Sequence, residues 1–184
     1  PIEDIDLATA AADPSSLENL HVALNGEYLN ERTILVTAQF FETQIGFEVI
    51  TPVRLENSNR LVLVSRGWTS GILPPNPPPS TQPVDGPVSL TAQIYVPAAD
   101  QRVYASEIDA STWPLRISSV EMDVLQTILG ESLFPYVVRL TEEQPGMLVR
   151  HWPESIADID THLSYALQWF TFAVMVAIAA LLTS

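Results

Sequence analysis

Imidazole is the most versatile reactive group in this chain, and it occurs three times, at His21, His151 and His162, with no cysteine anywhere. None of the three stands three or four residues from another, so spacing alone draws no metal pair on a helix. The missing cysteine removes disulfides, iron–sulfur clusters, thiolate zinc and C-x-x-C-H haem attachment together. No G-x-S-x-G elbow, phosphate-cradling G-x-x-x-x-G-K-[ST] loop, G-x-G-x-x-G fingerprint, H-E-x-x-H helix or calcium loop occurs either. The 22 acidic residues are scattered, with no pair singled out for acid–base work. The pattern points away from an enzyme.

His21 and His151 fall on strand-like segments and read as surface or rim side chains. His162 differs by its surroundings. It opens the block His162-Leu163-Ser164-Tyr165-Ala166-Leu167-Gln168-Trp169-Phe170, and the twenty residues from Leu163 to Leu182 carry no charge. At 1.5 Å per residue they span about 30 Å, one bilayer core, which predicts a transmembrane helix over 163–184. Tyr165, Trp169 and Phe170 stand where aromatic rings meet lipid headgroups. The positive end of the helix dipole disfavours imidazolium, and neutral imidazole is the form that ligates iron or copper. Two readings of His162 stay open here: an axial haem ligand, or an interfacial side chain bonded to lipid or backbone. Tyr165, Ala166 and Trp169 share its helical face.

The elements that must carry such a site begin with composition. A chain of 184 residues allows one domain of about 160 residues plus the helix. Eight basic against 22 acidic residues give a formal charge of −14, which repels phosphate backbones and excludes nucleic acid as partner; a basic or neutral protein fits better. Glu154, Asp158 and Asp160 precede the apolar run without a base among them, so the domain is expected on the non-cytoplasmic side. The chain starts at Pro1 without a methionine, which implies a segment upstream.

The organisation read from the sequence is a lead-in over 1–20, a β domain over 21–153, a juxtamembrane linker over 154–162 and the membrane helix. Period-2 alternation and β-branched runs predict strands over 21–28, 33–40, 46–50, 60–68, 88–96, 135–140 and 147–152. Gly26 is expected to mark a bulge, Asn30-Glu31 a hairpin turn between the first two strands, and Thr51-Pro52 the end of the third. The third and fourth strands pair as a hairpin, and Arg66 and Trp68 share a face. That pair reads either as a solvated arginine beside a half-buried tryptophan or as an edge turned to a partner or the membrane. Residues 71–87 hold seven of the fifteen prolines and read as a stiff surface spacer. Ser118 and Glu121 have capping-box spacing ahead of the stripe Val120, Val124, Leu125, Ile128 and Leu129, and Gly130 stops the helix. The fold class is mainly β (α+β): a mostly antiparallel, barrel-like β domain with one covering helix, plus a C-terminal transmembrane helix.

Three blocks, in order, give the chain a resemblance to a known family: Gly46-Phe47-Glu48-Val49-Ile50-Thr51-Pro52, then Val62-Leu63-Val64-Ser65-Arg66-Gly67-Trp68, and above all the His162–Phe170 block. It resembles the Surf-one family (surfeit locus protein one), membrane assembly factors for haem-copper cytochrome c oxidase. The resemblance implies a domain outside the cytoplasm, at the bacterial plasma membrane or mitochondrial inner membrane, that handles or stabilises haem a for insertion into the oxidase core subunit. It implies that His162 is a ligand to haem iron in some members, with Tyr165 and Trp169 beside it. Arg66 and Trp68 match family-typical positions and are candidate partner contacts. It also implies a first membrane helix with a W-Q-x-x-R signature, which this chain lacks. The alternative is a non-enzymatic accessory subunit bound to the mature oxidase or a respiratory supercomplex.

Overall fold

In β1 (His21–Tyr28), Val22, Leu24, Gly26 and Tyr28 are buried while the residues between them are exposed, a strict period-2 alternation. The computed structural model describes residues 1–6, 13–71, 79–96, 108–141 and 143–152. Among these follow β2 (Ile34–Phe41), β3 (Gln44–Leu55), β4 (Leu61–Ser70), β5 (Pro87–Tyr95), β6 (Leu115–Ile117), helix α1 (Met122–Leu129) and β7 (Leu133–Leu140). All seven strands belong to one sheet in the order β1-β5-β7-β4-β3-β2-β6. β1 also pairs with β3, so the hydrogen-bonded circuit β1-β5-β7-β4-β3 returns to its start. Five of the seven strand pairings are antiparallel; β2–β6 and β4–β7 are parallel.

Among the described residues the mainly β fold with one helix follows the sequence reading, but five local expectations are corrected. β1 and β2 do not form a hairpin. Both lie along the same edge of β3, β1 opposite Val53–Leu55 and β2 opposite Gln44–Ile50, so they run end to end with a 3-10 turn at Asn30–Arg32 between them. β3 therefore runs through Pro52 instead of stopping there. Pro52 stands at the junction where one neighbour gives way to the other, and its carbonyl accepts the Leu29 N–H at 2.9 Å. A residue without an N–H is tolerated where no strand asks for one.

Gly26 is not a bulge, since its registers with Leu55 and Val88 are unbroken. It permits close approach: a Cβ there would stand 2.2 Å from the Arg54 carbonyl oxygen. The expected strand over 147–152 reduces to a single bridge, Val149 with Trp68. β7 covers one edge of β4 only as far as Ser65, opposite Arg139, and residues 148–149 fill the edge beyond it. Continuing antiparallel would drive this segment into β7. The seventh strand is instead the three-residue β6 beside β2.

β4 and β7 are buried on both faces, which is why they read as near-continuous apolar runs. Val62, Val64, Phe134, Tyr136, Val138 and Leu140 enter one core with the apolar face of β1 and β5. Leu61, Leu63, Leu133 and Val137 enter a second, where α1 contributes Leu125 and Leu129. An eight-residue helix is too short to persist alone, and burial of the two leucines contributes about 3–6 kcal/mol. Gly130 ends it in the left-handed conformation at φ 71°, its N–H donating to the Gln126 carbonyl at 3.0 Å. The capping box does not form: the helix starts at Met122, and Glu121 holds the cap position with no side-chain cap bond.

Residues Pro1–His151 form one compact unit and Trp152–Ser184 another. The linker and the membrane helix expected over 163–184 lie outside the described residues. Among the described residues no helix is long and apolar enough to cross a membrane.

Candidate functional site

A bulge in β4 decides where Arg66 points. Val49 pairs with Gly67 and Ile50 with Ser65, leaving Arg66 as the extra residue on its strand. Gly67 takes φ 119°, and a Cβ on it would stand 2.7 Å from the Val149 carbonyl oxygen. The expected solvated guanidinium is thereby corrected: Arg66 is 0% exposed and Trp68 6%. The guanidinium is satisfied by main-chain oxygens. Nε donates to the Gly146 carbonyl at 2.7 Å and Nη2 to the Gln82 carbonyl at 2.6 Å. It lies 5.2 Å from the Tyr28 ring centroid, whose hydroxyl donates to the Pro145 carbonyl at 3.1 Å. Burial pushes the Tyr28 phenol up to about 12, with Arg66 opposing. Burial also lowers Arg66, opposed by Tyr28, but guanidinium stays charged in proteins.

Arg66 thus clasps two chain segments to the sheet: the end of the Pro-rich stretch and the 144–149 segment that leads out of the unit. Asn30 adds a second tie, its side chain exchanging bonds of 2.9 and 3.2 Å with the Val84 main chain. The described end of the proline stretch is therefore strapped to the domain. Trp68 packs against Phe41 at 5.5 Å between ring centroids and donates its indole N–H to the Gln39 carbonyl at 3.0 Å.

The same unit also holds a cavity of about 410 Å³. Val36 to Gln39 of β2, Glu48 and Ile50 of β3, Tyr95, Ser118 to Val120, Val137, Arg139 and His151 line it. A second bulge shapes it: the β2–β3 register shifts between Val36 and Gln39, and Ala38 sits at φ 58°. A non-glycine residue in that region is uncommon and clusters at binding sites. The guanidinium of Arg139 lies over Tyr95, 3.4 Å from the ring centroid. The Ser65 hydroxyl donates to Glu48 Oε1 at 2.5 Å. Burial lowers Arg139, with Glu48 and Tyr95 opposing. Burial likewise holds His151 below the usual histidine value, Glu48 pulling it up and Arg139 pushing it down.

The cleft gathers Glu48, Arg139 and His151 from three separate segments. Spacing could not bring them together, but there was a signal: Arg139 is the single charge of β7 and Glu48 the single charge between Gln44 and Pro52 of β3, and a charge inside an apolar strand is costly unless it is paired. His151 is half-buried and lines this cleft, and His21 is exposed, both within the surface-or-rim reading of the sequence. His162, Tyr165, Ala166 and Trp169 lie outside the described residues. No cluster of three metal-ligating side chains occurs among the described residues.

Comparison with known proteins bears on the whole arrangement. The family model described as the SURF1 family matches residues 1–174. A SURF1-like protein from Monosiga brevicollis is 26% identical over 184 aligned residues, covering 93% of this chain and 68% of the relative.

Proposed function

The chain belongs to the SURF1 family, whose members imply a role in cytochrome c oxidase assembly, and from that premise we propose that it is a membrane-anchored maturation factor handling haem a as cargo for the oxidase core subunit. The observation that carries this reading is the extent of the family match, which runs through His162, Tyr165 and Trp169 to residue 174. His162 would supply the imidazole nitrogen to haem iron, with Tyr165 and Trp169 on the same helical face. The β domain, barrel-like on its circuit of pairings, stands on the non-cytoplasmic side and meets the core subunit. Haem supplies the iron; the chain supplies a neutral ligand at the start of an apolar helix.

The test is the absorption spectrum of the full chain purified in mild detergent, beside His162→Ala. A haem band present in the parent and lost in the variant, with unchanged circular dichroism, is the expected result. Equal haem content in the two would sink the reading. Stoichiometric co-purification with mature oxidase, without haem, would instead make the protein an accessory subunit.

A further inference from the structure

The cleft over Arg139 has the makings of a small-molecule site. Its volume of about 410 Å³ falls in the range of about 300–1,000 Å³ that such sites occupy. Val36, Ile50 and Val137 are walls shared with the second core, against which Tyr95 and Val120 also pack. Arg139, Glu48, His151, Gln39 and two serines add the few polar groups that orient a ligand. Thr37 and Ala38, at the bulge of β2, line the same space.

Charge selects the ligand. Arg139 is a permanent cation, Glu48 already accepts a hydroxyl from Ser65, and His151 is neutral at pH 7, so the formal charges balance. An incoming anion takes the cleft to −1, and a proton on His151 restores neutrality. An incoming cation takes it to +1, and Arg139 cannot shed a proton to compensate. The charged or titratable groups facing His151 are Glu48 on β3, Arg139 on β7 and Tyr95 on β5. β2 and the 118–120 turn contribute uncharged side chains, Glu18 acts on Arg139 from farther out, and Arg150 precedes His151 in the chain.

We propose that this cleft binds a small amphipathic carboxylate, one anionic group on an apolar body, and that His151 takes up a solvent proton as the ligand enters. The carboxylate accepts hydrogen bonds from Arg139 and the imidazolium, while the apolar body lies against Val36, Ile50, Val120 and Val137. No covalent bond forms or breaks apart from that proton transfer. The proposal does not rest on the haem reading of His162.

The experiment is calorimetric titration of the full chain in lipid nanodiscs with 4-phenylbutyrate, beside 4-phenylbutanol and 4-phenylbutylamine. Saturable binding of one equivalent of the carboxylate is expected, at least about tenfold tighter than the alcohol, with the amine weakest. The affinity tightens by up to about tenfold between about pH 7.5 and about pH 6.5. Arg139→Gln removes the preference for the carboxylate, and His151→Gln keeps binding but flattens its pH dependence. Should Arg139→Gln unfold, Val120→Trp blocks the cleft from a turn outside the sheet and abolishes binding. Absent saturation, equal affinity for acid and alcohol, or undiminished pH dependence in His151→Gln each overturns the proposal.

Discussion

Arg66 and Gly146, 80 residues apart, are joined by a 2.7 Å hydrogen bond from Nε to the glycine carbonyl. The approach is close enough that a Cβ on Gly146 would stand 3.0 Å from Nε and Nη2. A buried arginine that bonds to carbonyls holds whatever segments own them. Arg66→Met should leave those part-buried oxygens without this donor and lower stability by about 3 kcal/mol. Arg66→Lys, a point charge without the fork, should lose about half as much. Limited proteolysis mapped by mass spectrometry checks the mechanism: cleavage in 79–86 and 144–149 should accelerate before cleavage elsewhere. An unchanged cleavage map in Arg66→Met would remove the clasp.

Two glycines at positive φ separate strain from crowding. Gly130 at φ 71° has open space where a Cβ would go, so Gly130→Ala should cost only the left-handed penalty, about 1 kcal/mol. Gly67 at φ 119° meets the Val149 carbonyl oxygen at 2.7 Å, so Gly67→Ala adds a clash and should cost about 3 kcal/mol or more. Urea denaturation of both variants reads the difference. Equal costs would mean that the β4 bulge yields to a side chain.

The strands and the helix were legible wherever a local pattern carries them: alternation in β1, β-branched runs in β2 and β4, the stripe ending at Gly130 in α1. Strand partnership was not. Nothing local says that β1 and β2 share one edge of β3, or that β7 lies parallel to β4, because both depend on the length of β3 and on the crossover through β6 and α1. Pro52 read as a stop because its tolerance comes from a gap between two neighbours. Arg66 was found by its motif, yet its burial was missed because a one-residue bulge reverses the face that period 2 assigns. The cleft was legible only as two odd charges, Glu48 and Arg139, whose meeting is a consequence of pairing.

Acid should destabilise the unit through His151. Its value in the folded chain is lowered by burial, so between that value and the usual 6.5 the unfolded chain binds more protons. Stability is therefore full above about pH 6.5, falls as pH drops through the window below it, and loses no more on this account once the folded-state value is passed. His151→Gln should flatten this part of the profile. Thermal melts of parent and variant at half-unit steps from about pH 7.5 to about pH 5 check it. Parallel profiles would assign the acid sensitivity elsewhere.

The carboxylate of Glu48 and the guanidinium of Arg139 act on His151 with opposite signs, Glu48 raising its value and Arg139 lowering it against the dominant effect of burial. Removing each charge without its volume should move the imidazole in opposite directions. Glu48→Gln should push His151 further below the usual histidine range. Arg139→Gln should let it rise toward that range, because a like charge is gone. Ser65→Ala tests the support: without the hydroxyl at 2.5 Å, Glu48 loses its fixed position and its pull on His151 weakens, giving a smaller shift in the same direction as Glu48→Gln. Proton NMR of the imidazole Cε1–H resonances, assigned by the loss of one signal in His151→Gln, follows the titration in each variant. Shifts of one sign in both charge-removal variants would mean that packing changes, not charge, set the protonation of His151.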